Sequence, residues 1–258
     1  MTFPNQIYLS SVLLDPGRWS KGRQPRIDAA AWNDRIREAG FAGWELWEPH
    51  DPLFAPPEAA EGRAAPAPVG IYNTYLLPDD SQPEAWAALA GRVNQSGAFG
   101  VKFNVGPEPG AGERALPGLE YLLEHCPRAE LWCECHPRTA LERPEDAAQW
   151  IAGLSDRVGI ILHPFSAEPD ALDNWLQQVG DRVRHLHLNV KGDDNRFARL
   201  GEQKSRVIAR LEQLSRHGFS GSASLEFTRG IGGGDADNPE SLFANAVEDL
   251  HLLEEITG

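Results

Sequence analysis

The amino-acid sequence predicts an α/β chain folded as a single (β/α)8 barrel over residues 1–258. Three observations carry that expectation. Eight short runs rich in β-branched and aromatic residues recur along the chain. Most of the gaps between them space apolar residues three and four apart, as helices do. Sharing 258 residues among eight strands gives about 32 per unit, the length of one strand–helix repeat. A doubly wound sheet is the rival, but the segment after the first strand, LLDPGRWS, has no GxGxxG phosphate fingerprint.

The first strand is expected at Ile7–Leu13 (IYLSSVL), and a helix follows from Asp28 through AAAWNDRIREAG to Gly40, a candidate C′ glycine. The second strand, Gly43–Trp47, leads into Asp51–Pro68, which holds five prolines and no sustained period. At most one turn of helix is expected there. The third strand is Val69–Tyr75. Ser81 and Glu84 then form a capping box before AWAALAGRV, with Pro83 in the first turn. Strands follow at Phe99–Val105, Ala129–His136, Val158–His163, Val183–Leu188 and Gly221–Phe227. The helices after them are read in GLEYLLEHC, PEDAAQWIAGL, DALDNWLQQVG, GEQKSRVIARLEQLSRHG and NPESLFANAVEDLHLLEEI.

Composition narrows the function. Hydrophobic residues are 41% and charged residues 24%, as in globular proteins, and the formal charge is −14. A duplex-binding surface needs excess cations, so nucleic acid and anionic membranes are poor partners. No run approaches a membrane span, and MTFPNQIYLSSVLLD has neither the basic start nor the apolar stretch of a secretory signal. Three cysteines, Cys126, Cys133 and Cys135, make no disulfide framework. The expectation is a cytoplasmic protein acting on a small molecule, with self-association left open. Cys133 and Cys135 flank Glu134 and therefore point to the opposite face, as core packing.

The candidate site comes from where polar residues fall on the strands. Strand five carries Glu134 and His136, strand six ends in His163, strand seven carries His185 and His187, and strand eight carries Glu226. Neighbours in this series are about one strand–helix unit apart, so their C-terminal ends meet at the barrel mouth, where this fold keeps its active sites. Glu45, Asn73, Lys102 and Asn104 add polar groups on strands two to four. Burying them without partners would cost several kcal/mol, which favours a polar mouth. Arg229-Gly-Ile-Gly-Gly-Gly234 lacks the GK[ST] of a phosphate loop and reads as a loop after strand eight. His50, His125, His217 and His251 fall outside the strands, and no constellation is expected around them.

These residues resemble the xylose-isomerase-like barrels, the superfamily of sugar and sugar-phosphate isomerases, epimerases and related lyases. The matching pieces are FAGWELW, LWCECHPRT, IILHPF, RHLHLN and SLEF, in order along nearly the whole chain. The resemblance implies one divalent metal held by Glu134, His163, His187 and Glu226, with Glu134 and Glu226 also moving the proton. It implies substrate contacts from His136, His185 and Lys102, and a grip on the far end of the substrate from Arg196 or Arg229. Glu45, Asn73, Asn104 and Lys191 complete the candidate substrate set. Two departures stand out. The family's strand-six motif is Asp-Pro-x-His, whereas this chain has His163-Pro-Phe-Ser166. The acidic residue often found three positions after the metal histidine is Val190 here. Exchanging aspartate for imidazole removes one negative charge from the ligand set and shifts preference from Mg²⁺ towards Mn²⁺, Co²⁺, Zn²⁺ or Fe²⁺. The implied activity is a metal-dependent sugar or keto-sugar isomerase or epimerase. A lyase (dehydratase, deglycosidase or decarboxylase) is the alternative, and a non-catalytic sugar-binding or partner-subunit barrel is the alternative of another class. The superfamily's nucleases are disfavoured by the acidic charge.

Overall fold

Eight parallel strands close on themselves in the order β1-β10-β7-β6-β5-β4-β3-β2 in the computed structural model, which describes residues 6–53, 67–79, 83–135, 137–232 and 238–258. The barrel strands are β1 (Ile7–Ser10), β2 (Trp44–Trp47), β3 (Val69–Asn73), β4 (Gly100–Phe103), β5 (Glu130–Glu134), β6 (Val158–Leu162), β7 (Val183–Leu188) and β10 (Ser222–Leu225). All eight expected strands are present, each within its expected segment or nearly so. Helices follow the strands: α3 (Pro83–Ser96), α4 (Ala111–Arg114), α5 (Leu116–His125), α6 (Pro144–Ile151), α7 (Pro169–Val179), α8 (Lys204–Arg216) and, after the last strand, α9 (Pro239–Thr257). No helix among the described residues is long and apolar enough to cross a membrane.

Alternation along the strands divides the molecule into an outer and an inner core. Outward side chains such as Leu9, Leu46, Val101, Cys133, Ile160 and Leu186 pack under the helices in one large cluster. Inside the barrel, Tyr8, Ile71, Trp132 and Ile161 form a separate small cluster. The Trp132 ring fits there because β4 supplies Gly100: a Cβ on Gly100 would lie 2.4 Å from that ring. This aromatic plug fills the lower barrel and leaves the upper end to polar side chains.

The structure differs from the sequence reading in three places and agrees with it, over the described residues, in the proline-rich connection. The first strand stops at Ser10, and Ser11–Leu14 form a helical turn, α1, because Ser11 Oγ accepts the Trp47 N–H (2.8 Å) rather than extending the ladder. The helix expected after Asp28 is split into a 3-10 turn, Ala29–Trp32, and α2 (Asn33–Glu38); Asp28 caps Ala30 N–H, and Gly40 ends the segment at φ +96°. In the proline-rich connection the described part is a 3-10 turn, Glu48–Leu53, and most of the remainder lies outside the described residues, as does Ser81 of the capping box. A hairpin that the sequence reading lacked, β8 (Val190–Lys191) with β9 (Phe197–Ala198), follows β7, and it turns through Asn195 at φ +59°.

Candidate metal centre

At the C-terminal ends of β5, β6, β7 and β10, Glu134, His163, His187 and Glu226 each place one ligand-type atom within 4.8 Å of the others. Three are buried and His163 is half-buried. His163 Nε2 is 2.8 Å from Glu134 Oε1, and His187 Nδ1 is 3.1 Å from the same oxygen. Glu226 closes the group, its Oε1 lying 3.6 Å from His187 Nδ1 and its Oε2 3.8 Å from His163 Nδ1.

Each glutamate is oriented from behind. Glu134 Oε2 accepts from Lys102 Nζ (2.8 Å) and from Asn104 Nδ2 (3.0 Å), and Lys102 also donates to Asn104 Oδ1 (2.7 Å). Lys102 and Asn104 reach it because positions two apart on or just after β4 share a face. Glu226 Oε2 accepts from Asn189 Nδ2 (2.8 Å), and Asn189 Oδ1 accepts from Ser166 Oγ (3.0 Å). Thus one oxygen of each carboxylate is held and the other is turned into the quartet. Burial opposes charge on Glu134, but Lys102 and the hydrogen bond from His163 outweigh it and hold the carboxyl well below the usual carboxylate range. Burial dominates at Glu226 and pushes its carboxyl up.

A second layer lies beneath. Glu45 is fully buried, and its Oε2 lies 3.1 Å from His187 Nε2 while its Oε1 accepts from Asn73 Nδ2 (2.6 Å) and Ser10 Oγ (3.3 Å). Asn73 Oδ1 is buried with no hydrogen-bond partner among the described residues. Glu45, His185 and His187 also bring ligand-type atoms within 4.8 Å of one another. His185, however, is spoken for: Nδ1 lies 2.7 Å from Ser222 Oγ, Nε2 lies 2.8 Å from Ser224 Oγ, and its ring stacks on Trp132. This arrangement reads as a hydrogen-bonded support under His187. A carboxylate behind a ligating imidazole fixes the tautomer and orientation of the ring.

The other expected residues fall into separate places. Lys191, on the hairpin, borders the cleft that opens from the quartet, together with Leu162, Ser166 and Phe227. Arg196 and Arg229 line a different cavity with Asp193, Asp194 and Glu202, and Arg229 is paired with Glu202. His185, expected to orient substrate oxygens, is fully buried between two serines and presents no surface to a ligand. His136 lies outside the described residues. Cys133 and Cys135 are free and belong to the outer cluster, although Cys135 also touches the cleft wall.

Three features escaped the sequence reading. Asn189 bridges Glu226 and Ser166 and lies 3.1 Å from His163 Nδ1; its signal is that it continues, just past the end of β7, the alternation of 185 and 187. Tyr75 covers Lys102, whose Nζ is 4.3 Å from the ring centre, and it stands over the mouth with Arg23 on its ring at 3.6 Å. His50 was expected to have no constellation. It is instead fully buried, with Nε2 at 2.8 Å from Asp15 Oδ2 and Nδ1 at 2.9 Å from Ser11 Oγ. Asp15 also accepts from the backbone N–H groups of Gly17, Arg26 and Ile27, so this cluster ties down the loop after α1.

The donor set fits a divalent ion. Two carboxylates and two imidazoles converging in a buried site suit Mn²⁺, Fe²⁺, Co²⁺ or Zn²⁺. The two carboxylates repel each other at this spacing, which a divalent ion between them would relieve.

Comparison with known proteins follows the same lines. No curated protein matches the chain in sequence. Its fold is similar to a probable 3-DHS dehydratase involved in petrobactin synthesis from Bacillus anthracis, at 16% identity and TM-score 0.65, covering 93% of this chain and 98% of that one. It is also similar to apo 3-keto-D-glucoside 4-epimerase from E. coli, at 16% identity and TM-score 0.60, with the same coverage of 93% and 98%. The family model described as xylose isomerase-like TIM barrel matches residues 33–254, and the chain belongs to that family.

Proposed function

We propose that this barrel is a divalent-metal-dependent isomerase or epimerase that moves a proton at the carbon beside the carbonyl of a sugar or keto-sugar. One observation carries the reading: Glu134 and Glu226 face each other across two histidines, each with one oxygen held and the other turned inward. Glu134, His163, His187 and Glu226 are the residues that would hold the ion, which when bound supplies Lewis-acid polarisation of a substrate carbonyl. The protein's own groups do the remainder. Glu134 and Glu226 take and return the substrate proton, the role for which two positioned carboxylates serve best. Lys102 and Asn104 fix Glu134, and Asn189 fixes Glu226, so neither has to reorient during transfer. Tyr75 shields Lys102 from water.

The two structural relatives, by name a dehydratase and an epimerase, support a sugar-processing enzyme. A second reading, a lyase, is favoured by His163 in place of the family's aspartate and by the likeness to the dehydratase at TM-score 0.65. Incubation of the Mn²⁺-loaded protein with keto-sugars in D₂O, read by mass spectrometry, separates them. Isomerase or epimerase action places deuterium in a substrate of unchanged skeleton. Lyase action lowers the substrate mass by loss of water or another fragment. Neither change, across keto-sugars and their acids, refutes the enzyme reading.

A further inference from the structure

The cleft that opens from Glu134, His163 and Glu226, about 380 Å³, is lined by two sets of side chains of opposite character. One is polar: Glu134, His163, Asn189 and Glu226. The other is apolar, built from Leu162, Leu172, Trp175, Phe197 and Phe227. The three aromatic side chains are only half-buried and so keep ring surface facing the cleft. Phe197 reaches this wall because the β8–β9 hairpin carries it there, and its ring centre lies 4.9 Å from that of Phe227. Phe227 in turn lies 5.8 Å from Trp19, which is 59% exposed, so the aromatic surface continues outward from the cleft.

We infer that this wall is a subsite for a neutral, flat apolar group joined to the reacting sugar, so that the substrate is a glycoside or similar ring conjugate rather than a free or phosphorylated sugar. The inference rests on the keto-sugar reading of the same centre. Its volume lies within the range of small-ligand sites, in which apolar walls supply area and a few polar groups fix orientation. Aromatic faces favour a flat partner. The charges argue against phosphate. Outside the polar wall, the described residues of the cleft offer one cation, Lys191, and one acid, Glu142. A phosphate site needs converging cations. Arg196 and Arg229 line another cavity among three acidic residues, and Arg229 is paired with Glu202.

The test is calorimetric binding of methyl 3-keto-glucoside, phenyl 3-keto-glucoside and 3-keto-glucose 6-phosphate to the intact chain, with and without Mn²⁺. The phenyl compound should bind at least tenfold more tightly than the methyl compound in the wild type and in Glu226→Gln. Phe197→Ala should reduce that ratio below about threefold. Ala167→Trp, which fills the cleft without hollowing the core, should do the same. Equal affinity for the two glycosides, or tightest binding of the phosphate, overturns the subsite. If no keto-sugar turns over while the phenyl preference persists and responds to both variants, the subsite stands and the isomerase reading falls. If both glycosides turn over with the same KM, the reverse holds.

Discussion

His185 and His187 stand two residues apart on one face of β7, both fully buried, and their surroundings give them opposite characters. His185 meets two serine hydroxyls, the face of Trp132 and a single carboxylate, Glu45, at 3.4 Å; burial outweighs that one charge and pushes the imidazole down to about 4. His187 meets Glu45 behind it and Glu134 and Glu226 in front. Burial opposes its charge there too, but the carboxylates prevail and raise it well above the ordinary value. The two rings are therefore equally dry and chemically unlike. Burial alone does not make a cation site. What sets the candidate site apart is several carboxylates converging on one buried ring; below it His185 has only Glu45 beside its two hydroxyls.

The sharpest way to break this contrast is to delete each ring in turn. His187→Asn should lower Mn²⁺ affinity by two orders of magnitude or more and abolish turnover. His185→Leu should leave Mn²⁺ affinity within about threefold of the wild type. It should nevertheless cost about 1–3 kcal/mol of stability, because Ser222 and Ser224 lose their buried partner. Calorimetric titration and urea unfolding of the two variants separate the effects. Metal loss of equal size in both would erase the distinction between floor and mouth.

His163 tests the edge of the mouth. It is the ligand-type residue most open to solvent, 18% exposed against 7% or less for the other three. His163→Ala should weaken Mn²⁺ binding by about tenfold, less than His187→Asn, whereas His163→Asp should restore it. Unchanged affinity in the alanine variant would make His163 a rim residue.

Much of the site, though not this contrast, was legible in the sequence, for a simple reason. Strand alternation is local, so VKFNV places Lys102 beside Asn104, and VRHLHL places His185 beside His187. What alternation does not give is depth or partner. His185 and His187 look alike in sequence, and partners more than 30 residues away set them apart: the serines of β10 at His185, Glu134 and Glu226 at His187. The same holds for His50, whose partners Asp15 and Ser11 come from before the second strand. The hairpin escaped because two-residue strands carry no period to detect.

A smaller effect comes from the helix layer. Asp249, on α9, accepts from Leu200 N–H (2.7 Å) and from Thr228 Oγ1 (2.7 Å), and burial raises its carboxyl to about 7 from an ordinary 3.8. Between those values the folded chain holds a proton that the unfolded chain has released. Stability should therefore be fully present below about pH 4 and fall as pH rises through 7, by at most about 1.4 kcal/mol per pH unit. Asp249→Asn should flatten that decline in urea unfolding measured from pH 4 to 8. A wild-type curve parallel to the variant's would exclude the raised carboxyl.

The central claim is that Glu134, His163, His187 and Glu226 together hold one divalent ion. Titration of the chelator-treated protein with Co²⁺, followed by its visible absorption and by elemental analysis, tests it most directly. Saturation at one ion per chain is expected in the wild type, retained in His185→Leu and lost in Glu226→Gln. A wild type that takes up no ion, or a Glu226→Gln variant that binds it as tightly, would contradict it.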